Sequence, residues 1–530
     1  MTKPQRFRIL ILTIGDVCIS MLGVYFALMT RNVIDAASAS EHLFIRYSIL
    51  LAGIVLVQYV LNAFLQYETE YVSSTVSMNM REHLMKNQME KSYEEVRKYH
   101  SGEWINRMFS DVRIVASGCT NIIPNTVGMI ARLLFACGAL LMLESMFAGV
   151  YLCTGILMIV VIEVLRKKYK VLHIQSQKKE DTVHSFLQEL SENILIIKSF
   201  AAHRFMLKRL NVYQEDQRNA NLKKRIFAIL TNTLFSLTFR LGYVIALIYG
   251  GRKLLLGLTT YGTLMAVLQL VNQIQSPIAK LSGVMTRIFE VTASTERLME
   301  SDQFKDDTIS QNEVSQFNTI SFQDVSFQYD RDLVLDHVSF EINRGDTVAL
   351  TGISGGGKST IFLLMMGIYQ PDEGQILFDG NDANEASYRN LFAYVPQGNA
   401  LFSGTIEENI VFNQEFDTEK LKQAMRIADA ESFINELPEG VKTVLKENGG
   451  GLSEGQIQRI AIARAVYNDA PVLLLDESTS ALDEMTEARV LDHIRQLKNK
   501  TVLIVTHRKA ALNICSRHLE LEDGRIRQNS

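Results

Sequence analysis

The sequence predicts a multidomain chain: an all-α polytopic membrane domain over residues 1–300, a short linker over 301–317, and an α/β domain over 318–530. Three observations predict it. Long apolar runs dominate up to about Ile288, the remainder has a soluble protein's mix of charge and glycine, and from Thr319 short β-type runs alternate with helical ones. At 530 residues the chain is too long for one ordinary domain, and its 47% hydrophobic, 21% charged composition averages two unlike halves. The net charge of −4, from 54 Lys+Arg against 58 Asp+Glu, gives no reason to expect a nucleic-acid partner. The five cysteines, Cys18, Cys119, Cys137, Cys153 and Cys515, lack metal-ligand spacing, and an odd count in a long chain argues against a disulfide framework.

The membrane domain comes first. A membrane helix needs roughly 20 mainly apolar residues, and about six stretches qualify: 9–29, 47–65, 122–143, 147–165, 226–249 and 261–274. The last is diluted by Gln269, Asn272, Gln273 and Gln275. The basic start, through Arg8, runs into an apolar stretch too long for a signal-peptide core and is expected to stay as an anchor. Lys/Arg bias sets the orientation. The connection 166–225 is strongly basic, and Lys3, Arg6 and Arg8 mark the start, so both ends of this domain are expected in the cytoplasm. The connections 66–121 and 166–225 have helical composition with few breakers, which predicts membrane helices that continue well into the cytoplasm. Around Glu144 and Ser145 the chain needs only a tight external turn. The polar, acidic stretch 301–316 suits a linker.

In the α/β part, residues 347–350, 472–475 and 502–505 are short apolar runs with polar, Gly or Pro neighbours, the marks of buried parallel strands. The first of them leads into Gly352-Ile353-Ser354-Gly355-Gly356-Gly357-Lys358-Ser359, which fits G-x-x-x-x-G-K-[ST], with Thr360 opening the next predicted helix. Glycines such as Gly352, Gly355 and Gly357 let backbone N–H groups curl around phosphate oxygens, and the helix N-terminus adds partial positive charge. Lys358 is placed to reach the β- and γ-phosphates, and Ser359 to ligate Mg²⁺. The strand 472–475 ends in Asp476-Glu477. The first acid suits Mg²⁺, and the second suits a general base that polarises the attacking water.

With these residues in place the chain resembles ATP-binding-cassette (ABC) proteins over nearly its whole length, in the form of an exporter-type half-transporter. Leu452-Ser453-Glu454-Gly455-Gln456 resembles the LSGGQ signature. The resemblance implies that Ser453, Gly455 and Gln456 face the nucleotide held by the P-loop of a second subunit, so that two ATPs are sandwiched in a dimer. It implies further that Tyr329 stacks on adenine, that Gln397 senses Mg²⁺ and the membrane domain, that Ser480 to Asp483 form the D-loop, and that His507 is the switch histidine on the γ-phosphate. Catalysis is thereby expected from Glu477, His507, Lys358 and Gln397, with ATP and Mg²⁺ bound and the metal held by Ser359, Gln397 and Asp476. Glu454 departs from the commonest signature, which has Gly there. A carboxylate is repelled by triphosphate but favoured at a helix N-terminus, and Gly455 is kept.

The membrane half resembles the exporter type. Tyr99 to Arg107 with Asp111-Val112 looks like the first cytoplasmic loop of that class, Ile196 to Phe200 like the second, and Thr443 to Gly449 with Glu447 like the exporter-specific segment, although Lys446 stands where Gly is usual. In the family, coupling helices at the loop tips press on the ATPase near the glutamine loop. The resemblance implies ATP-driven export of a hydrophobic or amphipathic substrate (drug, peptide or lipid) by alternating access. An exporter-fold importer and an ATP-gated or regulatory membrane protein stay open as alternatives. Arg132 and Arg240 lie at similar depth inside their spans, which suggests either a polar cavity for an anionic group or pairing with Asp16 or Glu163. With one cassette the chain must dimerise. A homodimer is slightly favoured over a heterodimer, and a bacterial inner membrane is expected because no organelle-targeting extension is visible.

Overall fold

The computed structural model describes residues 5–307, 314, 316–329, 332–382, 388–398, 401–446, 449–497 and 500–529, with side chains left out at 147–148, 150–160, 162–163, 166, 235, 239, 278–282, 285–286 and 528–529. The chain divides into two units. Residues Met1–Asn87 and Ser101–Gln303 form the first, and Gln88–His100 with Phe304–Ser530 form the second. This division runs differently from the expected boundaries at 300 and 318: the inserted segment 88–100 goes with the α/β unit, and so does the chain from Phe304, within the expected linker.

The helical unit contains α1 (Arg6–Ala37) and α2 (Glu41–Glu90). After the short α3 (Tyr93–Arg97) of the other unit come α4 (Ser101–Asn106), a π-helical turn at Arg107–Asp111, and α5 (Val112–Leu143). Then follow α6 (Ser145–Glu192), the short α7 (Ile194–Ser199), α8 (His203–Leu255) and α9 (Tyr261–Glu300). Helices α2, α6 and α8 run to 50, 48 and 53 residues, more than twice the roughly 20 that cross a bilayer. At about 1.5 Å per residue, each is more than twice as long as the apolar layer is thick. Among the described residues four helices are long and apolar enough to cross a membrane: Arg6–Ala37, Glu41–Glu90, Ser101–Leu143 and His203–Leu255. The expected fourth span, 147–165, falls mostly on side chains outside those described. The expected sixth lies in α9, where its glutamines and Asn272 lower the apolar content.

Small residues let these helices approach. An added Cβ at Gly128 of α5 would stand 3.0 Å from the Asp16 Cβ of α1, and the Ser20 hydroxyl donates to the Gly128 carbonyl at 2.8 Å across the same contact. Toward one end, Val24, Ala27, Leu140, Ala246, Leu270 and Val271 form one buried cluster from α1, α5, α8 and α9. At the opposite end the π-turn aims Arg107 and Asp111 inward. Asp111, 2% exposed at its side chain, accepts from Arg297 Nε at 2.9 Å and from the Ser294 hydroxyl at 2.9 Å. Arg107 donates to the Arg297 carbonyl and pairs with Glu103 and Glu300.

The α/β unit has two main sheets. An antiparallel one, ordered β2-β1-β4-β5, comprises β1 (Thr319–Tyr329), β2 (Asp332–Asn343), β4 (Glu373–Phe378) and β5 (Asn381–Asp382). The second, ordered β12-β11-β3-β10-β9-β6, comprises β3 (Thr347–Gly352), β6 (Phe392–Val395), β9 (Val472–Asp476), β10 (Thr501–Val505), β11 (Arg517–Glu522) and β12 (Arg525–Asn529). All its pairings are parallel except β11 with β12. All five residues of β9 and of β10 are buried, which is why they read as unbroken apolar runs. The core between the sheets contains Phe322, Phe340, Leu350, Phe378 and Leu474, together with Phe362 of α10 (Lys358–Met365). A second core includes Ile406, Ile434, Ile460, Tyr467 and Leu475. It packs α11 (Ile406–Val411), α12 (Thr418–Ile427), α13 (Glu431–Glu436) and α14 (Glu454–Asn468) beside β9, while β7 (Gly404–Thr405) pairs with β8 (Val444–Leu445). Two further helices, α15 (Glu484–Arg495) and α16 (Lys509–Ile514), follow β9 and β10.

The inserted segment is tied in by backbone bonds. Ser92 N–H donates to the Lys305 carbonyl and Asp307 N–H to the Glu90 carbonyl, each at 2.9 Å, while Arg389 grips the Asp307 carboxylate at 2.5 and 2.7 Å. Residues 304–307, expected within a linker, are thus paired. Residues 308–313 and 315 lie outside those described. Of the expected first loop, only Tyr99 and His100 fall in this unit, and residues from Ser101 belong to the helical one.

Candidate nucleotide site

Four neighbouring parallel strands, β3, β10, β9 and β6, bring their carboxyl ends to one edge of the sheet, the usual place for a ligand in an open α/β sheet. Each carries one group singled out from the sequence. The loop 352–357 follows β3, His507 follows β10, Asp476 ends β9 with Glu477 just beyond, and Gln397 follows β6.

The loop after β3 is built for a close approach of backbone. Gly352 has φ +140°, and a Cβ there would lie 2.2 Å from the Leu521 carbonyl oxygen, so only glycine fits. Gly355 and Gly357 also have positive φ, and Gly357 caps the N-terminus of α10. Ser354 stands exposed at the tip. Lys358 is 5% exposed, with its ammonium donating to the Gly352 and Ile353 carbonyls at 3.0 and 2.7 Å. The lysine thereby curls over its own loop, a charge held where phosphate oxygens would meet it.

Asp476 is 2% exposed, and burial pushes its carboxyl above the usual carboxylate range, opposed by hydrogen bonds from Ser359 and Tyr394. A buried carboxylate bonded to a serine hydroxyl is a hard oxygen donor set that fits Mg²⁺, whose charge would offset the desolvation. Tyr394 donates its phenol to Asp476 Oδ2 at 3.1 Å, and burial beside that carboxylate pushes the phenol upward as well. Glu477 adopts φ +47°, an uncommon backbone for a non-glycine residue, held by its N–H donating to the Val505 carbonyl at 3.1 Å. Its Oε2 accepts from Gln397 Nε2 at 2.6 Å, and its Oε1 lies 4.0 Å from His507 Nε2. Gln397, Glu477 and His507 therefore share one corner.

Tyr329 ends β1, and its hydroxyl lies 3.2 Å from the Thr360 hydroxyl of α10, which places the aromatic beside the loop. The signature segment sits elsewhere, at the N-terminus of α14. There Ser453 is the N-cap: its hydroxyl accepts from Gln456 N–H at 3.3 Å, and Gln456 Oε1 accepts from Ser453 N–H at 2.9 Å. Ser453 and Gln456 thus have a local capping role beside any role toward a ligand. Glu454 lies exposed in the first helical turn, where a carboxylate is favoured. Gly455 is required sterically, since a Cβ would stand 2.9 Å from the Ala481 carbonyl oxygen. Asp483 caps α15 through Thr486 N–H, and that bond holds its carboxyl below the usual range. Glu447 lies outside the described residues.

Several contributors carried no sequence signal. Gln458 donates to the Ser480 hydroxyl and accepts from Ala481 N–H, which ties the signature helix to the segment 480–483. Arg508, beside His507, donates to the Leu482 and Ser480 carbonyls and pairs with Glu487, which is 2% exposed. Both are ordinary polar residues until the chain turns back on itself.

In the helical unit, Arg132 is half-buried and Arg240 is exposed. Asp16 faces a polar cavity of about 380 Å³ shared with Gln66, Glu70, Asn121 and Asn125.

Comparison with known proteins adds to this geometry. A family model described as ABC transporter matches residues 335–480, and one described as ABC transporter transmembrane region matches residues 7–278. An ATP-dependent lipid A-core flippase of Desulfotalea psychrophila is 30% identical over 439 residues, 80% of this chain and 76% of that protein. YgaD, a Bacillus subtilis protein named for multidrug export, is 28% identical over 99% of this chain and 94% of its own. A solved structure of a bacterial Atm1-family ABC exporter with ATP bound shares the fold at TM-score 0.83, with 23% identity over 98% of this chain and 95% of that one.

Proposed function

The chain belongs to the ABC transporter family, as an integral membrane ATPase coupled to transport, and from that premise we propose that it exports a hydrophobic or amphipathic substrate by alternating access. The observation that carries the ATPase half of this reading is the corner where Gln397, Glu477 and His507 meet beside the P-loop. Lys358 and the loop amides would hold the β- and γ-phosphates, and Tyr329 would support the base. Glu477 would take a proton from the attacking water, held in line by Gln397 and His507. Ser359 and Asp476 would hold Mg²⁺, which when bound neutralises phosphate charge, and Gln397 would complete the set.

Substrate class rests on the relatives: the flippase is named for a lipid and YgaD for drugs. Both names suit an amphipathic cargo. ABC half-transporters generally dimerise, and we read this chain as a homodimer in a bacterial inner membrane. An exposed apolar tip supports a partner. At and just past α7, Leu195 is 77% and Phe200 81% exposed, on a loop far longer than the membrane requires.

The test is Mg-ATPase activity of the purified chain, beside Glu477→Gln, followed by nucleotide-driven uptake into inside-out vesicles. Hydrolysis by wild type alone supports a homodimer with complete sites. ATP binding without hydrolysis would assign the chain to a heterodimer. Uptake of an amphipathic dye supports export, and ATP-driven release from preloaded vesicles would reverse the direction.

A further inference from the structure

Helix α3 has no chemistry assigned by motif, yet it ends on the aromatic group next to the P-loop. Ser92 caps it by accepting from Glu95 N–H, and Ser92 itself and Glu90 just before it are fastened to residues 305 and 307. That anchorage fixes Arg97 in space. Its Nη1 donates to the Tyr369 hydroxyl at 3.0 Å, and its guanidinium carbon lies 5.1 Å from the centroid of the Tyr329 ring. Tyr369 is 3% exposed and meets Tyr329 edge-on at 5.3 Å and 81°, while Phe327 meets Tyr329 at 4.9 Å and 90°. The Tyr329 hydroxyl is held near Thr360. The ring is therefore bounded by two perpendicular aromatics, a hydroxyl contact and a cation.

We propose that Arg97 is a positioning residue for nucleotide-base binding, holding the plane of the Tyr329 ring through a cation–π contact so that the ring is set to stack on the purine. This rests on the reading of Tyr329 as the base platform. The physical reason is that a ring whose plane is set beforehand loses less conformational entropy when it stacks on a base, and a guanidinium bonded to a buried phenol sets it. Arg suits this better than Lys, because a planar fork can donate to Tyr369 while its face lies toward Tyr329. Neither residue lies within the P-loop, so the contribution concerns the base and not the phosphates.

The experiment measures ATP affinity of the full-length chain by calorimetry, beside inorganic triphosphate, which has no base, as a competitor. Arg97→Ala is expected to weaken ATP about three- to tenfold and leave triphosphate unchanged, with Arg97→Lys recovering part of the loss. In the Tyr329→Ala background, Arg97→Ala should add nothing, since its effect runs through the ring. Equal weakening of ATP and triphosphate by Arg97→Ala would mean a general disturbance of the unit and overturn the proposal. So would unchanged ATP affinity in Arg97→Ala when Tyr329→Ala weakens it. If Tyr329→Ala itself leaves ATP affinity intact, the base-platform reading fails first.

Discussion

Glu477 shows what a single residue contributes. It occupies a left-handed backbone position at the end of a fully buried strand, and its two carboxylate oxygens face different partners, Gln397 and His507. Glu477→Gln keeps shape and hydrogen bonding but removes the base. Hydrolysis should fall by about 10²–10⁴-fold while ATP binding persists, as steady-state turnover set beside a binding isotherm would show. The same scale explains an inert thiol. Burial pushes Cys515 up to about 12, and its Sγ donates to the Ala511 carbonyl at 3.2 Å. Only the thiolate reacts, so at pH 8 about one thiol in 10⁴ is reactive. Maleimide at that pH should leave Cys515 unmodified in the native protein and label it after denaturation, by peptide mass; labelling at the rate of a free thiol would contradict the burial.

Helices and loops act here through the places where two of them touch. The N-terminus of α14 passes so close to the segment 480–483 that Gly455 has no room for a methyl group, and Gln458 fastens the same pair. Gly455→Ala should push that segment aside. Hydrolysis is expected to drop about ten- to a hundredfold with little change in ATP affinity at the chain's own P-loop; an unaltered rate would show that the contact can yield freely. In the helical unit, the π-turn directs Arg107 and Asp111 onto α9, where Arg297 and Ser294 bond the buried carboxylate. Asp111→Ala leaves those donors to water and to Glu103, and should cost about 1–3 kcal/mol, read as a lowered unfolding temperature in detergent. A shift no larger than that of an exposed-site control such as Glu215→Ala would remove the network from the list of stabilising contacts.

For the molecule as a whole, the signature and the P-loop are separate features of one chain, and the proposed sandwich needs a second cassette. ATPase activity per mole should then rise with protein concentration in detergent until dimers saturate. It should rise less steeply in nanodiscs that trap preformed dimers. Specific activity flat from nanomolar to micromolar chain in detergent would indicate either a permanent dimer or a self-sufficient site, and cross-linking at the same concentrations separates the two.

Much of this is legible in the sequence itself. Apolar runs of membrane length, the glycine-rich loop ahead of a helix and the two acids ending a strand are local patterns, because bilayer thickness, phosphate geometry and strand burial each act over a few consecutive residues. The sixth span was weak in sequence and stays so, since its glutamines spend hydrophobicity on contacts such as Gln273 with the Gly23 carbonyl of α1. What the sequence by itself determined is therefore the two-part architecture and the identity of the groups expected at the nucleotide. The tertiary structure alone decided their neighbours: strand order β3-β10-β9-β6 departs from chain order, so Gln397 meets Glu477 across 80 residues and Arg97 meets Tyr369 across 272. Such pairings come from the closing of a whole sheet and the docking of an inserted helix, events whose free energy is shared over the entire core and leaves no mark on the residues that happen to meet.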